Sequence, residues 1–194
     1  MTYYVVVRGP LGVGKSTVSR RLANIIGADH ILIDRILEER GLEEWDEDRT
    51  SLRSFLRANT FAIARAHEGL KRVRPTVFDG CFYWNEQLDD LTQRLDFPHY
   101  GFTLEAPLSV CVARDRTRPL PKKGDEPRAG DQLGAEACEA VYGLVTQIRY
   151  GTPVDATGSV DRTVAAILSH LPAPARAGQP SVEPEESPRA KQPN

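Results

Sequence analysis

Gly9-Pro10-Leu11-Gly12-Val13-Gly14-Lys15-Ser16 is the stretch on which the reading of this chain turns. It fits the pattern G-x-x-x-x-G-K-[ST], and the reason for the pattern is access. A backbone that wraps an anion with its N–H groups pointing inward leaves no room for side chains at its turns. Directly before it, residues 3–7 read Tyr-Tyr-Val-Val-Val, a run without polar alternation that marks a strand buried on both faces. Directly after it, Val18, Leu22, Ile25 and Ile26 recur at helical spacing as far as Gly27, a residue that ends helices in the left-handed conformation. Strand, glycine loop and helix together make a phosphate site, because the helix adds the positive end of its dipole to the inward N–H groups. Within it Lys15 is placed to bridge the outer phosphates of a nucleotide and Ser16 to give a hydroxyl to Mg²⁺. Gly9, Leu11, Gly12, Val13, Gly14 and Thr17 supply the surrounding backbone.

Outward from this unit strands and helices keep alternating. Ile31-Leu32-Ile33 reads as a second strand ending at Asp34. Leu52, Phe55, Leu56, Ile63 and Leu70 then mark one face of a long helix that also carries Asn59. Thr76-Val77-Phe78 is a third strand running into Asp79-Gly80, and Trp84, Leu88, Leu91 and Leu95 give the next helix its apolar stripe. A fourth strand over residues 100–104 leads to a helix through Leu108, Cys111 and Val112. Residues 114–134 are rich in proline, glycine and charge without periodicity, which predicts a lid outside the core. Val141, Leu144, Val145 and Ile148 resume a helical face, and Pro153-Val154-Asp155 makes a last strand. Ser159 is placed to cap a closing helix through Val160, Val164, Ile167 and Leu168. The alternation predicts a parallel sheet with helices on both faces, in one domain over residues 1–171. Residues 172–194, dominated by Pro, Ala, Ser, Gly and charge, read as a disordered tail.

Composition narrows the class. Of 194 residues 40% are hydrophobic and 27% charged, and no apolar run approaches the length of a membrane helix. The N-terminus enters the first strand with no room for a leader, so a cytoplasmic location is expected. Cys81, Cys111 and Cys138 have neither paired nor metal-ligand spacing and read as reduced thiols. A net charge of -2 argues against a nucleic-acid footprint of many phosphates and leaves room only for a short oligonucleotide end. The four histidines, His30, His67, His99 and His170, are scattered without ligand spacing and receive no role.

Asp34 and Asp79 stand where strands end, on the edge at which open α/β sheets bind ligands. Asp34 could take the proton of an attacking hydroxyl and Asp79 could hold Mg²⁺ through water and help form the acceptor site; for each the plain alternative is helix capping. Arg53 and Arg57, one helical turn apart, could clamp a polar substrate or simply face solvent. Arg114, Arg116 and Arg118 open the lid, where an arginine over the phosphates would neutralise developing charge, and the spacing of Arg114 and Arg118 lets those two act together. Of the aromatics after Asp79, Phe82 and Trp84 read as core, and Tyr83 is expected to point into the cleft.

These residues resemble the P-loop kinase group that includes shikimate and gluconate kinases, adenylate-kinase-like enzymes, polynucleotide 5′-hydroxyl kinases and chloramphenicol phosphotransferase. The likeness spans about residues 1–171. It implies a P-loop NTPase fold, a three-layer α/β/α sandwich whose five-stranded parallel sheet has the order 2-3-1-4-5. It also implies ATP with Mg²⁺ and phosphate transfer to a small hydroxyl-bearing acceptor. Asp34 would match the acceptor-side base, and Asp155 with Thr157 would border the adenine. Two departures refine this. Shikimate kinases carry a run of glycines where Gly80 stands alone, and the position at which polynucleotide kinases hold a nucleic-acid phosphate with arginine is Leu37. The expectation is therefore an ATP- and Mg²⁺-dependent small-molecule kinase. The alternatives are a nucleic-acid or nucleoside 5′-hydroxyl kinase and a regulatory P-loop NTPase switch, the latter lacking the N-K-x-D motif of GTPases.

Overall fold

The strand ahead of the glycine loop, β1 (Tyr4–Arg8), is buried along its whole length. In the computed structural model, which describes residues 2–46, 49–122, 128 and 130–172, two parallel neighbours flank it. They are β5 (Thr76–Gly80), with Phe78 opposite Val6, and β6 (His99–Glu105), with Gly101 opposite Val6. The sheet continues to β2 (Asp29–Leu32) beyond β5 and to β7 (Thr152–Asp155) beyond β6. The spatial order is β2-β5-β1-β6-β7, which is 2-3-1-4-5 when the parallel strands alone are counted.

Side chains alternate across a strand, so β1 feeds two cores. Tyr4 and Val6, with Ile31 and Phe78, pack beneath α2 (Ile33–Arg40), α3 (Leu52–Lys71) and α4 (Asn85–Arg94). Val5 and Val7, with Val77, Phe102 and Leu104, pack against α1 (Lys15–Ile26) and α7 (Val160–Leu168). This is the α/β/α sandwich, and it explains why β1 shows no polar alternation. Each Val, Leu or Phe so buried is worth about 1.5–3 kcal/mol relative to exposure, which makes the centre of the sheet the firm base of the loop. Gly27 ends α1 with φ 64°, and the Ser159 hydroxyl caps α7 by accepting from the N–H of Arg162.

Two elements depart from the sequence reading. The second strand stops at Leu32, and Ile33 and Asp34 already belong to α2. Ile33, Ile36 and Leu37 are buried at helical spacing, but Ile31-Leu32-Ile33 reads equally as a strand, and the overlap conceals the helix. Between α2 and α3 lies a hairpin of two-residue strands, β3 (Trp45–Asp46) and β4 (Arg49–Thr50), too short to carry an alternation signal. Lid residues 123–127 and 129, and the tail from residue 173 onward, lie outside the described residues.

The lid is bracketed by α5 (Leu108–Asp115) and α6 (Ala135–Thr146), and α6 is held at both ends by a buried charge of the sign its dipole favours. At the N-terminal end the Asp115 carboxylate, 1% exposed, accepts from the N–H groups of Leu133 at 3.2 Å and Gly134 at 2.9 Å. At the other end Arg8, fully buried, donates to the carbonyls of Val145 and Ile148, each at 2.9 Å. It also donates to the Thr103 hydroxyl at 3.3 Å. Burial lowers the Arg8 pKa to about 10, which leaves it charged at neutral pH. The last residue of β1 and the last residue of α5 thus fix the helix that follows the lid.

Candidate functional site

The loop between β1 and α1 takes its shape from its glycines. Gly12 has φ 74°, and a Cβ there would run into the carbonyl of Cys111 at the heart of α5, so no other residue fits. Lys15, 6% exposed, folds back over the loop and donates from Nζ to the carbonyl of Pro10 at 2.9 Å. Beside the loop opens a cleft of about 300 Å³ lined by Gly12, Gly14, Thr17, Arg114, Arg118 and Gly158, among others.

The two preferred lid arginines have separate duties. Arg114 Nη1 donates to the carbonyls of Val13 at 2.9 Å and Ala156 at 2.8 Å, and its Nη2 to that of Thr157 at 3.3 Å. It ties the glycine loop to the turn after β7 while lining the cleft, where the sequence reading expects an arginine over the phosphates. Arg116 is exposed at the end of α5. Arg118 rests 3.6 Å from Asp115, lines the cleft, and lies close enough to Asp34 to stabilise that group's charge. It is the lid arginine that faces both the cleft and the carboxylate.

Asp34 sits in the first turn of α2, a helix with no side-chain cap, so the capping alternative fails. Burial raises its pKa to about 6; Lys15 and Arg118 pull it down, while Asp79 and Glu43 push it up. Asp79 is not a cap either. Its side chain is fully buried; its Oδ2 accepts from His30 Nε2 at 3.1 Å, and its Oδ1 is buried with no hydrogen-bond partner. Within electrostatic reach of both lies the Cys81 thiol, pushed up to about 11 by burial despite the nearby Lys15. A thiol so placed is neutral and unreactive at physiological pH.

Three expectations about the surroundings need correction. Tyr83 does not open into a cleft. It is 8% exposed, its ring meets Phe55 edge-on at 5.2 Å, and its hydroxyl donates to the carbonyl of Thr50 at 3.4 Å. Trp84 Nε1 donates to the same carbonyl, and the Arg49 guanidinium lies 4.9 Å from the centre of the Trp84 ring, so the aromatics fasten the β3–β4 hairpin beside Asp34. Arg57, read as a substrate clamp, is paired with Glu44 at 2.9 Å. Asp155 and Thr157, expected at the adenine, bind each other through Asp155 Oδ1 and line a separate groove with Thr103, Tyr142 and Tyr150. Their neighbours Ala156 and Gly158 line the cleft of the loop instead.

A family model described as an AAA domain (AAA_33) matches residues 5–136. The chain belongs to this AAA domain family. No curated protein sequence matches it significantly. Among solved structures it is similar to a sugar kinase from Janibacter sp. HTCC2649, with a TM-score of 0.61 and 20% identity over 87% of this chain and 94% of that one. A tunicamycin resistance protein from Deinococcus radiodurans gives 0.60 and 16% over 87% and 95%. A gluconokinase from Sinorhizobium meliloti 1021 gives 0.59 and 17% over 86% and 89%. These likenesses establish the small P-loop kinase fold. Among the described residues no helix is long and apolar enough to cross a membrane.

The AAA domain thus brings Lys15, Asp34, Asp79 and Arg118 to one edge of its sheet and leaves Arg57, Tyr83, Asp155 and Thr157 in other contacts. Sequence reasoning missed His30, Arg8 and Asp115. His30 shows its place only through register: it pairs with Val77 and Leu32 with Asp79, so His30 and Asp79 project to one face. Asp115 carried a usable signal, as the last acidic residue of a helix entering a long insertion. Arg8 carried one too, as a charge closing an otherwise apolar strand.

Proposed function

We propose that this AAA domain protein is a kinase that transfers the γ-phosphate of ATP, with Mg²⁺, to a hydroxyl of a small acceptor. One observation carries the reading: a partly buried carboxyl in the first turn of α2, Asp34, its pKa raised to about 6 by burial, lies within electrostatic reach of Lys15 of the loop and of Arg118, which lines the loop's cleft. A base poised near working pH, opposite two cations beside a phosphate cradle, is what in-line phosphoryl transfer to a hydroxyl requires.

In this reading the N–H groups of residues 11–16 and the start of α1 hold the β- and γ-phosphates. Arg114 keeps the loop and the β7–α7 turn at a fixed separation, so the nucleotide enters a preformed cleft. Lys15 leaves Pro10 for the phosphates. Arg118 leaves Asp115 and, with Lys15, stabilises the charge that develops on the transferring group. Asp34 accepts the acceptor's proton as its oxygen bonds to the γ-phosphorus and the bond from that phosphorus to the bridging oxygen of ADP breaks. The residues present fit a magnesium ion. Ser16, partly buried at the start of α1, offers one hydroxyl to the ion and the unpartnered Asp79 Oδ1 an acceptor for one of its waters, the sparse protein ligation that Mg²⁺ favours. Bound there, it would neutralise phosphate charge.

The solved neighbours include a sugar kinase and a gluconokinase, which supports a polyhydroxylated acceptor over water or a nucleic-acid end. A screen of ATP consumption against sugars, sugar acids, nucleosides, oligonucleotides and hydroxylated antibiotics tests this. One class of small acceptors should stimulate turnover strongly. Turnover independent of any acceptor would sink the kinase reading in favour of an NTPase switch, and stimulation by oligonucleotide ends alone would make the protein a 5′-hydroxyl kinase.

A further inference from the structure

His30 stands outside every motif of the chain, yet it makes the hydrogen bond that Asp79 receives. Among the described residues Asp79 has a fully buried side chain, one oxygen on His30 Nε2 and the other unpartnered. A carboxylate accepts and does not donate, so the imidazole must present its Nε2–H to this bond. Burying a carboxylate with half of its accepting capacity unused is unfavourable, and the orphan oxygen needs a partner. The side to which it belongs follows from the sheet. Val77, two residues before Asp79 on the same face, packs in the core beneath α1. On α1 the hydroxyl of Ser19, one turn past Lys15 and Ser16, is also buried and unpartnered. Two elements of this layer therefore each carry a buried polar atom without a partner, and for Asp79 Oδ1 a water of a cation bound at the start of α1 would supply one.

We infer that His30 is a positioning residue for the divalent cation: by holding Asp79 Oδ2 it fixes the carboxylate so that Oδ1 faces α1 and accepts from a water of the Mg²⁺ that Ser16 helps to bind. The inference rests on the kinase reading of Asp79 given above. It differs from a mere strand-to-strand staple in one respect. A staple affects stability, whereas a positioning residue affects cation affinity at unchanged nucleotide affinity.

The test uses the full chain with His30→Ala, His30→Gln and Asp79→Asn. Mn²⁺ binding to the ADP complex is followed by electron paramagnetic resonance, alongside ADP affinity without metal and the Mg²⁺ dependence of turnover. His30→Ala should weaken Mn²⁺ about 10–100-fold, the usual cost of losing a group that orients a metal's ligand, with metal-free ADP affinity within about 3-fold. His30→Gln, whose amide can donate from nearly the same place, should recover most of the loss. Asp79→Asn should weaken Mn²⁺ at least as much. If His30→Ala does not fold, His30→Met, similar in length and without a donor, carries the same expectation. Unchanged Mn²⁺ affinity in the His30 variants with a loss in Asp79→Asn overturns the role of His30 alone. Unchanged affinity in Asp79→Asn overturns the assignment of Asp79 to the cation, and the inference with it.

Discussion

Replacing Asp34 by asparagine should make the protein more stable and less active at once, and pH separates the two effects. The Asp34 carboxyl has its pKa raised from 3.8 to about 6, chiefly by burial. A carboxyl whose folded pKa exceeds its unfolded value keeps its proton longer in the folded state. The folded state therefore binds more protons between the two values, and stability falls as pH rises through that window. The full penalty, about two pKa units at roughly 1.4 kcal/mol each, comes to about 3 kcal/mol as an upper bound, is absent below pH 4 and is complete above the folded value. The amide of the variant never ionises and escapes it. In a chain of this size each kcal/mol moves Tm by about 2–4 °C, so Asp34→Asn should melt about 5–10 °C above the parent at pH 8 and level with it at pH 4. Calorimetry at the two pH values reads this directly. Phosphate transfer should fall about 10²–10⁴-fold, the range for loss of a general base, with ADP affinity unchanged. A variant that is destabilised at pH 8, or stabilised equally at both pH values, would refute the account of Asp34 as a desolvated carboxylate held for function.

Three further outcomes test individual contacts. Arg118→Ala should lower kcat about 10²–10³-fold and weaken nucleotide binding by up to about 10-fold while leaving Tm near the parent, whereas Arg114→Ala, which strips donors from the carbonyls of Val13, Ala156 and Thr157, should cost about 2–3 kcal/mol in denaturant unfolding and weaken nucleotide binding as well. Arg8→Met should destabilise by about 3–5 kcal/mol and speed amide exchange at the end of α6, and Arg8→Lys should rescue little, because a single ammonium does not span Val145, Ile148 and Thr103 as a guanidinium fork does. Tyr83→Phe loses one long hydrogen bond to Thr50 and should cost under about 1 kcal/mol in stability with kcat unchanged; a large kcat loss would restore Tyr83 to the reacting site.

The fold was legible because its decisive signals are local. The run before Gly9 cannot be a surface strand, the loop's glycines cannot be a helix, and Gly27 ends α1 where the periodicity stops. Layer order followed because parallel strands joined by helices have few permitted arrangements. The site was legible only where chemistry and position coincide in one residue, as at Lys15 and Asp34. It failed wherever a side chain's direction decides. Tyr83 and Arg57 have the right types near the right edge, but their partners Thr50 and Glu44 sit in and beside a hairpin whose strands are too short to be read. Arg114 and Arg118 are equivalent by spacing, and what separates them is the carbonyl of Val13 within reach of the first. His30 needed the register of β2 against β5, a non-local fact.

Burial of charge gives the most economical account of how the parts connect. Among the described residues the charged side chains in the buried class are Arg8, Lys15, Asp79 and Asp115, and a buried charge is too costly to persist without a partner. Arg8 and Asp115 find theirs at opposite ends of α6, so they are satisfied permanently and act as fixed points. Lys15 and Asp79 are satisfied only in part: Lys15 leans on a carbonyl of its own loop, and Asp79 keeps one oxygen free. A permanently paired charge builds structure, and a partly paired one stores demand for a ligand. On that division, a polyphosphate and a cation are drawn to the same edge of the sheet. Arg118, resting 3.6 Å from a carboxylate that two backbone N–H groups already hold, can leave Asp115 for the transferring phosphate without uncovering an unsatisfied charge. Asp115→Asn, which keeps an acceptor for Gly134 and removes the charge that retains Arg118, should therefore tighten nucleotide binding by up to about 10-fold at low salt, an effect that fades as salt screens the attraction. Weaker binding at every salt concentration would place Asp115 among the groups that deliver Arg118 to the phosphate rather than those that hold it back.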